Sequence, residues 1–398
     1  MKFQELLSES ARAMRFSAIR RMSAVIERPG IISFAPGQPS PETFPVADFD
    51  RILRQAVADE AAGAFQYILT RGYSPLLEAV ADYARHKGMD SHPAERMLTE
   101  GSQQGLDLVS RVLIDPGDVV LCEAPSYVGA LSAFRAARAR MVSVQLDEQG
   151  LDLEDLRRQY RACRDAGHRV KFLYVVPNYQ NPSGITHTLE RRAGLLEVAR
   201  ELELLVVEDD PYGDVYFDQP PPPTLRSLDH DGRVLYLSSF SKILAPALRT
   251  AFVLGPETLL AKLEIAKQAA DLCGSGLSHR VVLACLREGL IEAQKERIRP
   301  YYRDKCKAML DALAREMPEG VSWTHPTGGL FVWLRLSEGR DADALLEAAV
   351  AEGVAYVPGS PFFAEDDTGL NTMRLTFARE DVAKIEEGVR RLAKAIRA

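Results

Sequence analysis

The sequence predicts an α/β protein with one large and one small unit. Between Phe49 and Gly255, helical periodicity alternates with short apolar runs rich in β-branched residues, the pattern of βα units around a mainly parallel sheet. Beyond Glu319 the pattern changes to a second, smaller set of strands and helices. The unusual polar clusters stand just after the ends of the strand runs, where open α/β sheets bind ligands.

The length, 398 residues, gives two or three domains at roughly 150 residues each. We expect an N-terminal helix and crossing segment over 1–48, a large unit over 49–295 and a small unit over 296–398. Met1 to Met22 reads as an amphipathic helix that stays on the protein, because Glu5, Glu9 and four arginines interrupt any signal-peptide apolar core. Arg28 to Pro45 is so dense in Pro and Gly that it must be extended and ordered.

The buried strands of the large unit are expected at Val119 to Leu121, Val170 to Val176, Leu204 to Val207, Val234 to Leu237 and Ala251 to Leu254. Helices fit Gln104 to Leu113, Leu189 to Glu201 and Pro256 to Lys267, and Leu286 to Leu313 reads as one long helix between the units. The small unit offers strands around Val321, Gly329 to Leu336 and Met373 to Phe377, with helices at Ala342 to Glu352 and Glu380 to Ile396.

A balance of 46% hydrophobic and 26% charged residues belongs to an ordinary globular chain. The net charge of −7 and the lack of a long basic block argue against a nucleic-acid partner. No apolar run approaches the ~20 residues that a membrane helix needs. Five cysteines, an odd number without any C-x-x-C pair, read as buried thiols of a cytoplasmic protein. The seven histidines never pair at metal-ligand spacing, and no G-x-G-x-x-G follows the first strand to mark a dinucleotide fold.

Three strand runs lead into polar text: Glu208-Asp209-Asp210-Pro-Tyr212, Pro177-Asn178-Tyr-Gln-Asn181-Pro-Ser-Gly184 and Ser238-Ser239-Phe-Ser241-Lys242. On one sheet edge they converge on one cleft. Gly101-Ser102-Gln103-Gln104 opens a helix, so its N–H groups and the helix dipole face an anion. With Ser239, Ser241 and Arg249 it makes a phosphate cup of hydroxyls, amides and one guanidinium. Lys242, held after a strand and desolvated, would be a nucleophilic amine.

Nine motifs in order then resemble the fold type I pyridoxal-phosphate aminotransferases, on the branch with kynurenine and 2-aminoadipate aminotransferases. They are Ser33-Phe-Ala-Pro-Gly-Gln-Pro39, Phe65-Gln-Tyr67, Gly101-Ser-Gln-Gln104, Glu123-Ala-Pro-Ser-Tyr127, Asn181-Pro-Ser-Gly184, Asp209-Asp-Pro-Tyr212, Ser239-Phe-Ser-Lys242 with Arg249, Pro326-Thr-Gly-Gly329 and Met373-Arg374-Leu375. The resemblance implies a mainly parallel seven-stranded sheet in the large domain and pyridoxal 5'-phosphate carried by Lys242 as a Schiff base.

It further implies Asp209 at the pyridine nitrogen, Asn181 and Tyr212 at the phenolic oxygen, and Tyr127 stacked on the ring. Gly101, Ser102, Gln103, Ser239, Ser241 and Arg249 would hold the phosphate. Tyr67, and with it Ser275, would reach the neighbouring subunit's site, which implies a homodimer. Arg374 would fork onto the substrate α-carboxylate with Gly37 beside it, and Arg20, or its neighbour Arg21, would meet substrate side chains.

The implied reaction is a ping-pong transfer of an amino group from a 2-aminoadipate, aromatic or branched-chain type amino acid to a 2-oxo acid such as 2-oxoglutarate. A β-lyase on the same cofactor and a non-catalytic sensor domain are the alternatives. The sensor has little support, because the aminotransferase-like text begins almost at Met1, leaving no room for a DNA-binding head.

Overall fold

A computed structural model of the protein describes residues 3–14 and 30–398. Its first strand, β1 (Ile32–Ser33), lies in the Pro- and Gly-rich crossing segment. The strands of the large sheet follow as β2 (Arg96–Thr99), β3 (Val119–Ala124), β4 (Arg140–Asp147), β5 (Gly150–Leu151), β6 (Val170–Val175), β7 (Leu205–Asp209), β8 (Val234–Ser239) and β9 (Ala251–Leu254). The later strands are β10 (Ser322–Trp323), β11 (Phe331–Arg335), β12 (Val354–Ala355), β13 (Val357–Pro358) and β14 (Thr372–Thr376).

The large sheet has the order β2-β9-β8-β7-β6-β3-β4-β5. Strands β4, β3, β6, β7 and β8 run parallel, and β9 runs against both its neighbours. The expected seven strands therefore become eight. The extra one is the two-residue β5, which folds back on β4 so that Leu151 pairs with Leu146. Asp147-Glu148-Gln149-Gly150 is a polar turn with no apolar run, and it left no strand pattern to read.

Alternation along the strands splits the core into two layers. Leu173, Val175 and Val206 pack with Leu195 and Val198 of the helix Leu189–Glu201 on one face. Phe172, Tyr174 and Val207 join the other face with Leu131 and Phe134. A sheet covered on both faces exposes only its strand ends, and side chains placed there are free for chemistry.

The small sheet has the order β10-β11-β14-β13 and is antiparallel throughout. The crossing segment joins this unit: β1 pairs in parallel with β12, Ile32 opposite Val354. The chain thus runs from the small unit across the edge of the large one before the large sheet begins.

Two expected helices differ. Leu286 to Leu313 is not one helix but the end of Gly276–Arg287 and most of Leu290–Glu316. Gly289 between them sits at φ 71 in the left-handed region, where glycine carries no Cβ penalty and ends the first helix. The N-terminal helix is broken too: a 3-10 turn at Phe3–Leu6 precedes a helix at Glu9–Ala13, capped by Ser8 and ending at extended Met14. That helix does stay on the protein, with Glu9 paired to Arg138 at 2.7 Å. The rest of the segment, including Arg20 and Arg21, lies outside the described residues.

Four cysteines are buried as expected, while Cys273 is half-exposed, and all five are free thiols. Among the described residues no helix is long and apolar enough to cross a membrane.

Candidate active site

A cavity of about 460 Å3 opens beyond the ends of β6, β7 and β8, with Asn181, Asp209, Tyr212, Ser239, Ser241 and Lys242 on its walls. Ser102, Gln103, Tyr127 and Arg249 line it too, with Gly37 of the crossing segment and Arg374 of the small unit's β14. Residues far apart in sequence meet here because parallel strands deliver their C-terminal loops to one edge.

Strand alternation sorts the three acids at the end of β7. Glu208 accepts the N–H groups of Leu225 and Arg226 at 2.9 and 2.8 Å. Asp210 accepts from Asn178 Nδ2 at 2.8 Å and from the Tyr236 hydroxyl at 2.9 Å. Only Asp209 faces the cavity. Its Oδ2 accepts from the Tyr174 hydroxyl at 2.9 Å, while its Oδ1 is buried with no partner. Burial above all pushes the Asp209 carboxyl up to about 7, against the Tyr174 hydrogen bond and Lys242. Asn178, bound to Asp210 and Arg192, is structural and lies off the cavity.

Lys242 donates to the Gly37 carbonyl at 3.1 Å and stands 5.8 Å from the centre of the Tyr212 ring. Burial, then the charges of Arg374 and Arg249, press its amine down to about 8, with Asp209 opposing. Such an amine has an appreciable neutral fraction near neutral pH, which an ordinary lysine lacks.

The anion cup is built around a missing side chain. Gly101 precedes the helix Ser102–Leu113 at φ 82, and a Cβ there would lie 1.9 Å from Arg249 Nη2. Without it the guanidinium lies against the helix start, donating to the Glu100 carbonyl at 2.9 Å. Gly101 shapes the cup without itself lining the cavity. Ser239 Oγ donates to Ser241 Oγ at 2.8 Å, and Ser102 Oγ is buried without a partner. Gln103 donates to the Gly129 carbonyl at 2.9 Å and accepts from the Tyr127 hydroxyl at 3.3 Å, which ties that ring to the cup.

Arg374 is 1% exposed on β14, stacked 4.4 Å over the Phe331 ring. It donates to Asn181 Oδ1 at 2.9 Å and to the Ala35 carbonyl at 2.6 Å, and its Nε has no partner. Burial lowers its pKa to about 10, which leaves it charged at neutral pH. Gly37 is close by: a Cβ there would lie 3.2 Å from Phe331 and 3.6 Å from Arg374 Nη1. Tyr212 packs edge-on to Phe331 at 5.8 Å and lies against Asn181.

Two predicted residues are not brought into this cavity. Tyr67 is 77% exposed, and Ser275 is an exposed helix cap whose Oγ accepts from Ser278 N–H at 3.2 Å. Arg20 lies outside the described residues. Sequence reading passed over Gln38 and Arg379, both exposed at the cavity wall. Arg379 stands five residues after Arg374, and that spacing was its only signal.

Asp209 Oδ1, Ser102 Oγ and Arg374 Nε are buried polar atoms left open, each at a cost of ~1–3 kcal/mol unless a ligand meets it. An acceptor at one end, an anion cup at the other and an amine between them suit pyridoxal phosphate: a ring nitrogen, a phosphate and a carbonyl.

Residues 30–392 match the family described as Aminotransferase class I and II. Aromatic-amino-acid aminotransferase 1 of Thermococcus litoralis is 41% identical over 398 residues, with 100% of this chain and 95% of that protein covered. A kynurenine aminotransferase of Pyrococcus horikoshii, solved in complex with PMP and KYN as substrates and KYA as products, superposes with a TM-score of 0.95 at 41% identity, covering 100% of this chain and 98% of that one. The alpha-aminoadipate aminotransferase of Thermus thermophilus, solved with N-(5'-phosphopyridoxyl)-L-leucine, does so with a TM-score of 0.92 at 41% identity over 100% and 98%.

Fold and site together define a fold type I enzyme that uses pyridoxal phosphate. The chain belongs to the class I and II aminotransferase family, on the branch similar to aminoadipate, kynurenine and aromatic aminotransferases, and it transfers amino groups.

Proposed function

We propose that the enzyme moves the amino group of a 2-aminoadipate, aromatic or branched-chain type amino acid to a 2-oxo acid, 2-oxoglutarate foremost, in two half-reactions at one cavity. The observation that carries this reading is that three groups line one cavity: a part-neutral buried amine at Lys242, an open carboxyl oxygen at Asp209 and a buried guanidinium at Arg374. The names of the similar proteins supply the substrate classes.

Pyridoxal phosphate, when bound, supplies a carbonyl that takes up amines and a ring that spreads the electron pair left when an α-proton departs. The unpartnered Asp209 Oδ1 would hold the ring nitrogen and favour its protonated form. Asn181 and Tyr212 would hold the phenolic oxygen, and Tyr127 would lie against the ring. Ser102, Gln103, Ser239, Ser241 and Arg249 bind the phosphate, with Gly101 clearing the space for Arg249. Arg374 grips the substrate α-carboxylate, assisted by backbone at Gly37, and so aims the α-hydrogen at Lys242. Lys242 Nζ would be the base that takes and holds that proton, the task of a base with a pKa close to working pH.

The active unit in this reading is a homodimer in the cytoplasm, with Tyr67 of one subunit reaching the cup of the other. Support comes from Phe65, Tyr67 and Leu69, exposed at 66%, 77% and 65% along one short stretch, a patch of the kind that seeks a partner surface. The free thiols fit a reducing compartment.

The test is a panel of donors with and without acceptor, followed by the cofactor absorbance. A donor alone should give one spectral turnover and stop, and 2-oxoglutarate should restart it. Continuous release of ammonia and pyruvate without an acceptor would mean a β-lyase instead.

A further inference from the structure

Two buried side chains beside the site have no part in the reading above. Glu123 opens the Glu123-Ala-Pro-Ser-Tyr127 motif, and Gln180 stands immediately before Asn181. Both are 1% exposed, and neither lines the cavity. A carboxylate is costly to bury unless its oxygens are hydrogen-bonded, so the partners of Glu123 show what it holds.

Glu123 is the hub of the loop 176–187 that carries Asn181. Its Oε2 accepts the Val176 N–H at 3.0 Å, where the chain leaves β6, and Gln180 Nε2 at 2.8 Å, in the middle of the loop. Its Oε1 meets His187 Nε2 at 2.9 Å, where the loop ends. An ionised carboxylate only accepts, so His187 carries its proton on Nε2 and all three partners are donors. The loop mouth is closed beside them by the His187 N–H, which donates to the Pro177 carbonyl at 2.9 Å. The imidazole sits hard against β5, where a Cβ on Gly150 would lie 2.5 Å from its Cδ2.

Gln180 passes this hold on toward the cavity. Its Oε1 accepts the Ser183 N–H at 3.0 Å, which orients the amide. Its Nε2 then faces two acceptors, Glu123 and the Pro125 carbonyl, the latter at 2.7 Å. Pro125 lies two residues before Tyr127. One amide thus ties the loop of Asn181 to the segment that leads to Tyr127. Asn181 accepts from Arg374 through its Oδ1 at 2.9 Å, so its Nδ2 is the donor left for a phenolic oxygen.

We propose that Glu123 and Gln180 are positioning residues, which together set Asn181, at the cofactor's phenolic oxygen, relative to Tyr127, against its ring. This rests on the placement of Asn181 and Tyr127 in the reading above. Neither positioning residue touches cofactor or substrate. Their action is to hold a donor within the narrow range of distance and angle in which a hydrogen bond is strong.

The experiment uses Glu123→Ala, Glu123→Gln and Gln180→Leu, with Asn181→Ala as the reference. Each apoprotein is titrated with pyridoxal phosphate, and each loaded enzyme is carried through pH while the cofactor's absorbance is followed. A donor at the phenolic oxygen stabilises its anion and lowers the pH of the absorbance change, so misplacing that donor raises it. Glu123→Ala and Gln180→Leu should both raise that pH toward the Asn181→Ala value, by about half a unit or more. Both should bind pyridoxal phosphate roughly tenfold more weakly, the loss of about one hydrogen bond. Glu123→Gln keeps an oxygen for Val176 and Gln180 and turns an amide to His187, whose proton can move to Nδ1, so it should stay within about threefold of the parent. Denaturant midpoints separate positioning from plain stability. A lowered midpoint with affinity and absorbance pH both unchanged in Gln180→Leu overturns the proposal. Gln180→Leu leaves Glu123 two of its donors and decides the matter should Glu123→Ala fail to fold. If Asn181→Ala itself moves neither quantity, the placement of Asn181 fails and this inference falls with it.

Discussion

Lys242 and Asp209 share one dry cavity, and burial acts on them in opposite senses. It strips charge from the lysine, to about 8, and from the carboxyl, to about 7. The carboxyl's folded pKa is raised, so before cofactor binds its protonated form is the stable one. Relative to Asp209→Asn, the cofactor-free protein should therefore be at its best below the ordinary carboxyl pKa near 4 and lose stability as pH rises through about 7. We expect Asp209→Asn to be the more stable of the two at pH 8, by on the order of a few kcal/mol, and close to equal at pH 4.5. Denaturant midpoints of the two apoproteins check this, and a gap that does not vary with pH contradicts it. The same substitution should abolish most turnover. Much of this was legible in the sequence: the Asp209-Asp-Pro-Tyr212 motif carried Asp209 by resemblance, and the serines mark Lys242. Arg379 was not, because an arginine in a turn looks the same whether it faces a cavity or open water.

At the scale of elements, the anion cup depends on the junction of the Gly101 turn with the helix Ser102–Leu113. Gly101→Ala meets two obstacles, a left-handed φ of 82 and a clash with Arg249. Gly117→Ala meets the first alone, at φ 92 with nothing within 4 Å. Both variants should lose about 1 kcal/mol or more to backbone strain, but only Gly101→Ala should weaken pyridoxal phosphate binding, by at least roughly tenfold. Titration of the two apoproteins decides it, and equal affinities would remove Gly101 from the site. The buried strands β3, β6, β7, β8 and β9 announced themselves as apolar runs. Strands β2 and β4 did not, since Arg96-Met-Leu-Thr has only two apolar residues and β4 interleaves Arg140, Ser143, Gln145 and Asp147 with its apolar ones. The break at Gly289 was hidden because the apolar period continues across it.

At the scale of the whole molecule, the crossing segment is the chain's clasp. Through β1 it joins the small unit, at Ala35 it accepts from Arg374, and at Gly37 it accepts from Lys242. Pro and Gly density disclosed that this stretch is extended, but not which strand it would join, since a two-residue pairing has no periodicity. The exposed Phe65-Gln-Tyr67 stretch belongs to the same scale. In the homodimer reading, sedimentation at micromolar concentration gives a dimer, and Leu69→Asp lowers its stability and the cofactor affinity together. A wild-type monomer with full cofactor affinity would contradict the shared site. The central claim, however, is a bond to one lysine. Borohydride treatment of the cofactor-loaded enzyme, followed by peptide mass analysis, should place a reduced pyridoxyl group on the peptide that contains Lys242 and on no other. A label on a different lysine, or none on a protein that binds the cofactor, would contradict it.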